Sequence, residues 1–232
     1  MAATQDEQNK KSTLNEKVNT FFQKNRKLIL FGFIAVAVIL VGLIVSISVR
    51  DKLQEKALSK VDGFNRRYLE MKDSIHSENS EAVLRQLDLI VLMVEIDDFA
   101  KKNSGLPSAR AYSLSGEISS NQKNWVDAEK AFLNAARAAG KSYFAPVNFF
   151  NAAVAAEEQE NIDAAIAHYN MAIDFSSSFP AAARAQFSIG RLEESRNNKL
   201  AALEAYSTVL GKWPNEMLWT NLAQNRIIIL SD

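Results

Sequence analysis

The sequence predicts an all-α protein: a solenoid of repeated helical hairpins behind a single membrane-crossing helix. Three observations lead there. The segments NWVDAEKAF (124–132), NIDAAIAHY (161–169) and NKLAALEAY (198–206) recur at an interval of 37 residues, each opening with Asn, carrying Ala fifth and closing on an aromatic ring. Residues 28–49, LILFGFIAVAVILVGLIVSISV, form 22 positions without a charge. Only four prolines and eight glycines punctuate the 232 residues, a composition that suits long helices.

Composition excludes several functions before any element is placed. With 27 basic and 27 acidic side chains the net charge is zero, so no overall field draws the chain to nucleic acid. Cysteine is absent, which removes disulfides, zinc–thiolate sites, thiol nucleophiles and a lipidated N-terminal Cys.

Residues 1–27 read as a polar tail and 28–49 as the transmembrane helix. At about 1.5 Å per residue the span reaches about 33 Å, enough for a hydrocarbon core roughly 30 Å thick. A cleavable signal peptide fits less well. Ser46-Ile47-Ser48 offers a small-x-small end, but the apolar core and its leader are both too long. Residues 1–27 and 50–69 hold six Lys/Arg each, so the positive-inside count leaves the orientation open. Gly42 and Ser46 form one small-xxx-small pair, which would suit a homodimer through the membrane.

Residues 50–102 are expected to form a stalk helix and an N-terminal hairpin. Leu53, Ala57, Val61, Phe64, Tyr68, Met71 and Ile75 mark one apolar face, continuous with the span. HSENSE (76–81) breaks it, and a second helix follows from Glu81 to Lys102 with Leu84, Leu87, Val91 and Val94 facing inward. A closing hairpin and a dimeric coiled coil both fit this stretch.

Residues 107–212 carry the repeat. Twelve residues before Ala128, Ala165 and Ala202 stand Gly116, Ala153 and Gly190, small residues that would let paired helices approach closely. Asn124, Asn161 and Asn198 are placed to N-cap the second helix of each pair. Pro107, Pro146, Pro180 and Pro214 fall where one pair gives way to the next. Residues 213–232 read as a capping helix, with Leu218, Leu222, Ile228 and Ile229 docking and Trp213 and Trp219 sealing the end.

These residues resemble the tetratricopeptide repeat, whose pattern has a small residue at position 8, Ala at 20, an aromatic at 24 and often Pro at 32. Gly116, Ala128, Phe132 and Ala135 match in the first unit. Ala153, Ala165, Tyr169 and Ala172 match in the second, and Gly190, Ala202, Tyr206 and Pro214 in the third. The resemblance implies a right-handed α-solenoid whose first helices line a concave groove. By phase, the groove candidates are Arg110, Ser113 and Glu117, then Val147, Phe150 and Val154, then Arg184, Phe187 and Arg191. Ser113 and Glu117 stand where some members carry a Lys and an Asn that clamp a partner's C-terminal carboxylate, so that mode is not expected. Phe150 and Phe187 suit burial between repeats as well as they suit the groove.

No catalytic set emerges, so no enzyme, metal or cofactor is expected. His76 and His168 lack ligand partners at a recognised spacing, and His168 falls among surface positions. The adjacent pairs Asp97-Asp98 and Glu157-Glu158 point to different helix faces and to solvent.

The whole layout, including EIDDFAKKNSGLPSARAYSLSGEISSNQKNWVDAEKAF (95–132), resembles bacterial YfgM-type proteins. That resemblance implies an accessory protein of the bacterial inner membrane with a periplasmic C-terminal domain. Its implied partners are Sec translocon components, periplasmic chaperones or exported clients, with lipid around residues 28–49. A cytosol-facing membrane-tethered adaptor is the contrasting reading of the same fold.

Overall fold

The computed structural model describes residues 2–75, 80–175 and 179–231. Among these, all regular structure is helical: α1 (Ala2–Ile75), α2 (Ser80–Lys102), α3 (Gly105–Asn121), α4 (Trp125–Ala139), α5 (Phe144–Glu157), α6 (Ile162–Phe175), α7 (Ala182–Ser195), α8 (Lys199–Lys212) and α9 (Met217–Ser231). His76 and most of the HSENSE segment lie outside the described residues.

The chain divides into two units, residues 1–55 and 56–232. The described residues of the first belong to α1. Its apolar side chains from Leu30 to Val49 are exposed, and the most apolar 18-residue window of the span has a mean hydropathy of 3.0 with none of it buried. This helix is long and apolar enough to cross a membrane. Leu53, expected on the buried stripe, is exposed, because the core that covers this stripe takes in Ala57 and, from Val61 onward, fully buried side chains.

In the second unit, residues 56–75 of α1 form the first hairpin with α2. Val61, Phe64, Tyr68 and Met71 pack with Leu89, Leu92, Ile96 and Phe99, and α3 adds Ala111, Leu114 and Ile118. Phe64 and Phe99 meet edge to face at 5.6 Å, and Arg67 donates to Glu95 at 2.5 Å. The inward face of α2 is therefore not the one the sequence suggested: Leu84, Leu87, Val91 and Val94 are exposed. The helix carries two apolar stripes of identical spacing, and Phe99 against Phe64 belongs to the other one.

Pairs α3/α4, α5/α6 and α7/α8 then stack through one repeated turn. Lys123, Glu160 and Asn197 adopt the left-handed conformation, with φ of 59°, 58° and 61°. The following Asn N–H groups bond back to Ser119, Ala156 and Glu193 carbonyls at 2.9, 3.0 and 2.9 Å, closing the first helix of each pair. The same Asn then opens the next helix. Asn124, Asn161 and Asn198 Oδ1 accept from Asp127, Ala164 and Ala201 N–H at 3.5, 3.2 and 3.5 Å. One residue ends a helix and begins another, which is why Asn leads every copy of the motif.

The glycines of the first and third pairs have a different nearest neighbour from the one expected. A Cβ on Gly116 would lie 2.7 Å from Phe132 Cδ1, and one on Gly190 would lie 2.5 Å from Tyr206 Cε1. The aromatic ring, not the Ala of the second helix, fills the glycine notch. Ala128 instead shares a cluster with Ala152 and Ala155 of the following pair.

At the C-terminal end, α9 docks through Trp219, Ala223, Ile227 and Leu230 on Tyr206, Val209 and Phe187. Leu218, Leu222, Ile228 and Ile229, expected to dock, are exposed. The 4-4-3 spacing that begins at Trp219 follows the helix face that reaches Phe187, whose ring lies 5.6 Å from Trp219. Trp213 is partly buried against the cluster around Ile189 and Leu192.

Candidate functional site

The first helices of successive pairs place their polar residues around one cleft of 330 Å³. Lys72 comes from the end of α1, Ser113, Glu117, Ser120 and Asn121 from α3, Trp125 and Phe132 from α4, and Asn151, Val154 and Ala155 from α5. Residues 113, 117, 120 and 121 share a side of α3 by the 3.6-residue period, and 151, 154 and 155 do the same on α5. The floor is apolar, where Phe132 and Ala155 are buried. The rim carries one acid, one cation and two amides.

Hydrogen bonds fix one wall. Asn121 Nδ2 donates to the Tyr68 hydroxyl at 2.9 Å, tying α3 to α1. Burial raises the Tyr68 phenol above its usual range; the Asn121 bond opposes this in part, and the nearby Glu117 charge adds to it. Ser120 Oγ is turned back to the Gly116 carbonyl at 2.9 Å. Glu117 is exposed and makes no ion pair among the described residues. A rim of amides and opposite charges over an apolar floor can bond the backbone of an extended peptide while seating an apolar side chain.

Of the sequence-derived groove residues, Ser113, Glu117 and Val154 meet in this cleft. Five of the others make contacts within the stack. Phe150 is buried, edge to face with Tyr169 at 5.2 Å, and the Arg184 guanidinium lies 5.0 Å above its ring. Phe187 packs between Tyr206 and Trp219. Arg110 donates to Asp62 at 2.6 Å, and Val147 is exposed apart from the cleft lining. Arg191 binds Glu157 of the preceding pair. Lys72, Asn121 and Asn151 were not singled out from the sequence. Asn151 stands 37 after Leu114, a buried core residue, so phase with the groove candidates pointed to its neighbours Phe150 and Val154 instead.

Of the carboxylates read as solvated, Glu157 proves to be a hub. Glu157 accepts from the Tyr169 hydroxyl at 2.5 Å and from Arg191, and only 17% of its side chain is exposed. Glu194 repeats this with the Tyr206 hydroxyl at 2.9 Å and with Arg226 of α9. Burial, reinforced by Glu157, raises the Tyr169 phenol far above its usual range. Burial also raises Tyr206, with Arg191 opposing it. In the first pair Phe132 has no hydroxyl, and the matching position is Ser120. Asp97 is half-buried and takes Lys101 at 2.5 Å.

His168 is buried rather than superficial. Its Nε2 lies 2.8 Å from Glu129 Oε1, and Gln159 Nε2 donates to Glu129 Oε2 at 2.7 Å. No group of three or more metal-ligating side chains occurs among the described residues.

Fold and cleft together define an all-α, tetratricopeptide-like solenoid with a 330 Å³ cleft at its first two pairs. No protein-family model matches the chain. The chain is similar to a TPR repeat-containing protein of Treponema pallidum (strain Nichols), 27% identical over 228 residues, with 93% of each chain covered.

Proposed function

We propose that this protein is a single-pass membrane scaffold that holds partner or client proteins through the cleft formed by α1, α3, α4 and α5. The observation that carries the reading is the cleft itself: Glu117, which has no ion pair among the described residues, with Lys72 and two amides set over an apolar floor. The exposed, charge-free helix 28–49 is read as its anchor, since such a surface has no stable place in water. The relative named for the same repeats supports a protein-interaction role. On the layout it shares with YfgM-type proteins, the scaffold assists protein export or chaperone work at the bacterial inner membrane. Its partners there are Sec translocon components, periplasmic chaperones or exported clients, and residues 56–232 face the periplasm.

Two experiments test this. The chain has no cysteine, so Ser231→Cys gives a single reporter for a membrane-impermeant thiol reagent. Labelling in intact spheroplasts supports the periplasmic reading, whereas labelling only after lysis establishes the cytosol-facing adaptor. For the cleft, Glu117→Lys with Asn151→Ala should reduce co-purification of partners at unchanged helicity. Unchanged co-purification would move the function to another surface.

A further inference from the structure

α2 presents two apolar stripes and uses only one of them in its own fold. Leu89, Leu92, Ile96 and Phe99 are buried against α1 and α3. Leu84, Leu87, Val91 and Val94 repeat the same 3-4-3 spacing on another face, and each is more than half exposed, as is Ile90 beside them. Scattered exposed leucines are ordinary, but a contiguous row at heptad spacing is not. Side chains recurring every 3.5 residues on average are met along their whole length by another helix, whose surface supplies the holes.

We propose that a second copy of this chain covers the row, α2 against α2 in parallel, with Leu84 and Val91 at a positions and Leu87 and Val94 at d positions. Charge selects this occupant and its direction. The apolar row ends at Asp98 and Lys101, the next a and d positions. There, in parallel register, Asp97 at g faces Lys102 of the second copy at e, twice by symmetry, in exchange for exposed i,i+4 contacts with Lys101 and Asp98. Ile90 at g lies beside a glutamate already held by Arg67. An antiparallel pair would forgo that contact and bring Asp88 toward Glu95, both beside Arg67. Area sets the strength. Five side chains with roughly 80–100 Å² open on each give about 900 Å² over both copies, below the roughly 1,200 Å² of a stable free complex. The pairing is thus weak in solution and is completed by sharing a membrane, which aligns two copies and raises their effective concentration. That last step rests on the anchoring reading above.

The full chain in liposomes tests it through single cysteines at Leu87, at Val91, and at Leu200, an 82% exposed control on α8. Under mild oxidation the first two should form disulfide dimers at least tenfold faster than the control. Adding Ile90→Asp with Val94→Asp should return them to the control rate. Equal rates at Val91 and Leu200 overturn the pairing. When Leu87→Cys and Val91→Cys chains are mixed, a predominance of mixed over like disulfides overturns the parallel direction. Vesicle flotation of the same samples reports anchoring separately. A chain that floats without crosslinking at Val91 removes the pairing alone, and a chain that fails to float removes the anchor.

Discussion

Replacing Gly190 with alanine adds a single methyl group, yet its effect reports directly on how the hairpins close. The new Cβ would stand 2.5, 2.7 and 2.9 Å from Cε1, Cδ1 and Cζ of Tyr206. Ordinary carbon contacts sit near 3.5–4.0 Å, so the overlap is about 1 Å. The ring cannot swing aside. It is fully buried, its hydroxyl is bound to Glu194, and Phe187 lies 5.3 Å away. Alanine in place of glycine favours an exposed helix interior by about 1 kcal/mol. Overpacking costs about 1–3 kcal/mol, so Gly190→Ala should lose between roughly 0 and 2 kcal/mol, and Gly190→Leu more. The assay is urea unfolding of the full chain in detergent, followed by helical circular dichroism. In a Tyr206→Leu background the ring is gone, and Gly190→Ala should turn stabilising by about 1 kcal/mol. Stabilisation of that size with Tyr206 intact would refute the ring-in-notch account.

The other expectations concern the turns, the buried phenols and one polar contact between repeats. Glu160→Gly should stabilise by about 1 kcal/mol, because an L-residue in the left-handed conformation costs about 1–2 kcal/mol, of which glycine's chain entropy takes back part; denaturant midpoints check this. The folded-state pKa of Tyr169 is raised, so the protonated phenol contributes stability that is complete below pH about 10 and is lost as pH rises above it. Tyr169→Phe should accordingly flatten the loss of stability measured above pH about 10. Positions 129 and 168 correspond, 37 residues on, to Ile166 and Ala205, which belong to one apolar cluster. Glu129→Ile with His168→Ala should therefore be neutral or stabilising in thermal unfolding. His168→Ala alone should cost about 1–3 kcal/mol by leaving Glu129 with fewer partners.

Much of this fold was legible because its signals are local. Asn124, Asn161 and Asn198 announce their turns, and small and aromatic residues 16 apart announce the paired helices. The sequence misled wherever a helix is apolar on two faces. In α2 the stripes from Leu84 and from Leu89 have the same spacing, and only the placement of Phe64 and α3 decides between them. In α9 the docked Trp219 sits next to the exposed Leu218. Glu157 and His168 were read as exposed because their partners, Arg191 and Glu129, lie 34 and 39 residues away, beyond any local pattern. Phase with the repeat found Ser113, Glu117 and Val154. It could not find Lys72, which belongs to a hairpin that lacks the repeated motif.

Site-specific photo-crosslinking in cells tests the scaffold account most directly. A benzophenone side chain at Asn151, inside the cleft, is compared with one at Lys130, on the face that α4 shares with Asp97 and Tyr112. The account predicts discrete protein adducts from Asn151 that disappear with Glu117→Lys, and none of them from Lys130. Adducts from Lys130 alone, or the same adducts from both positions, would contradict it.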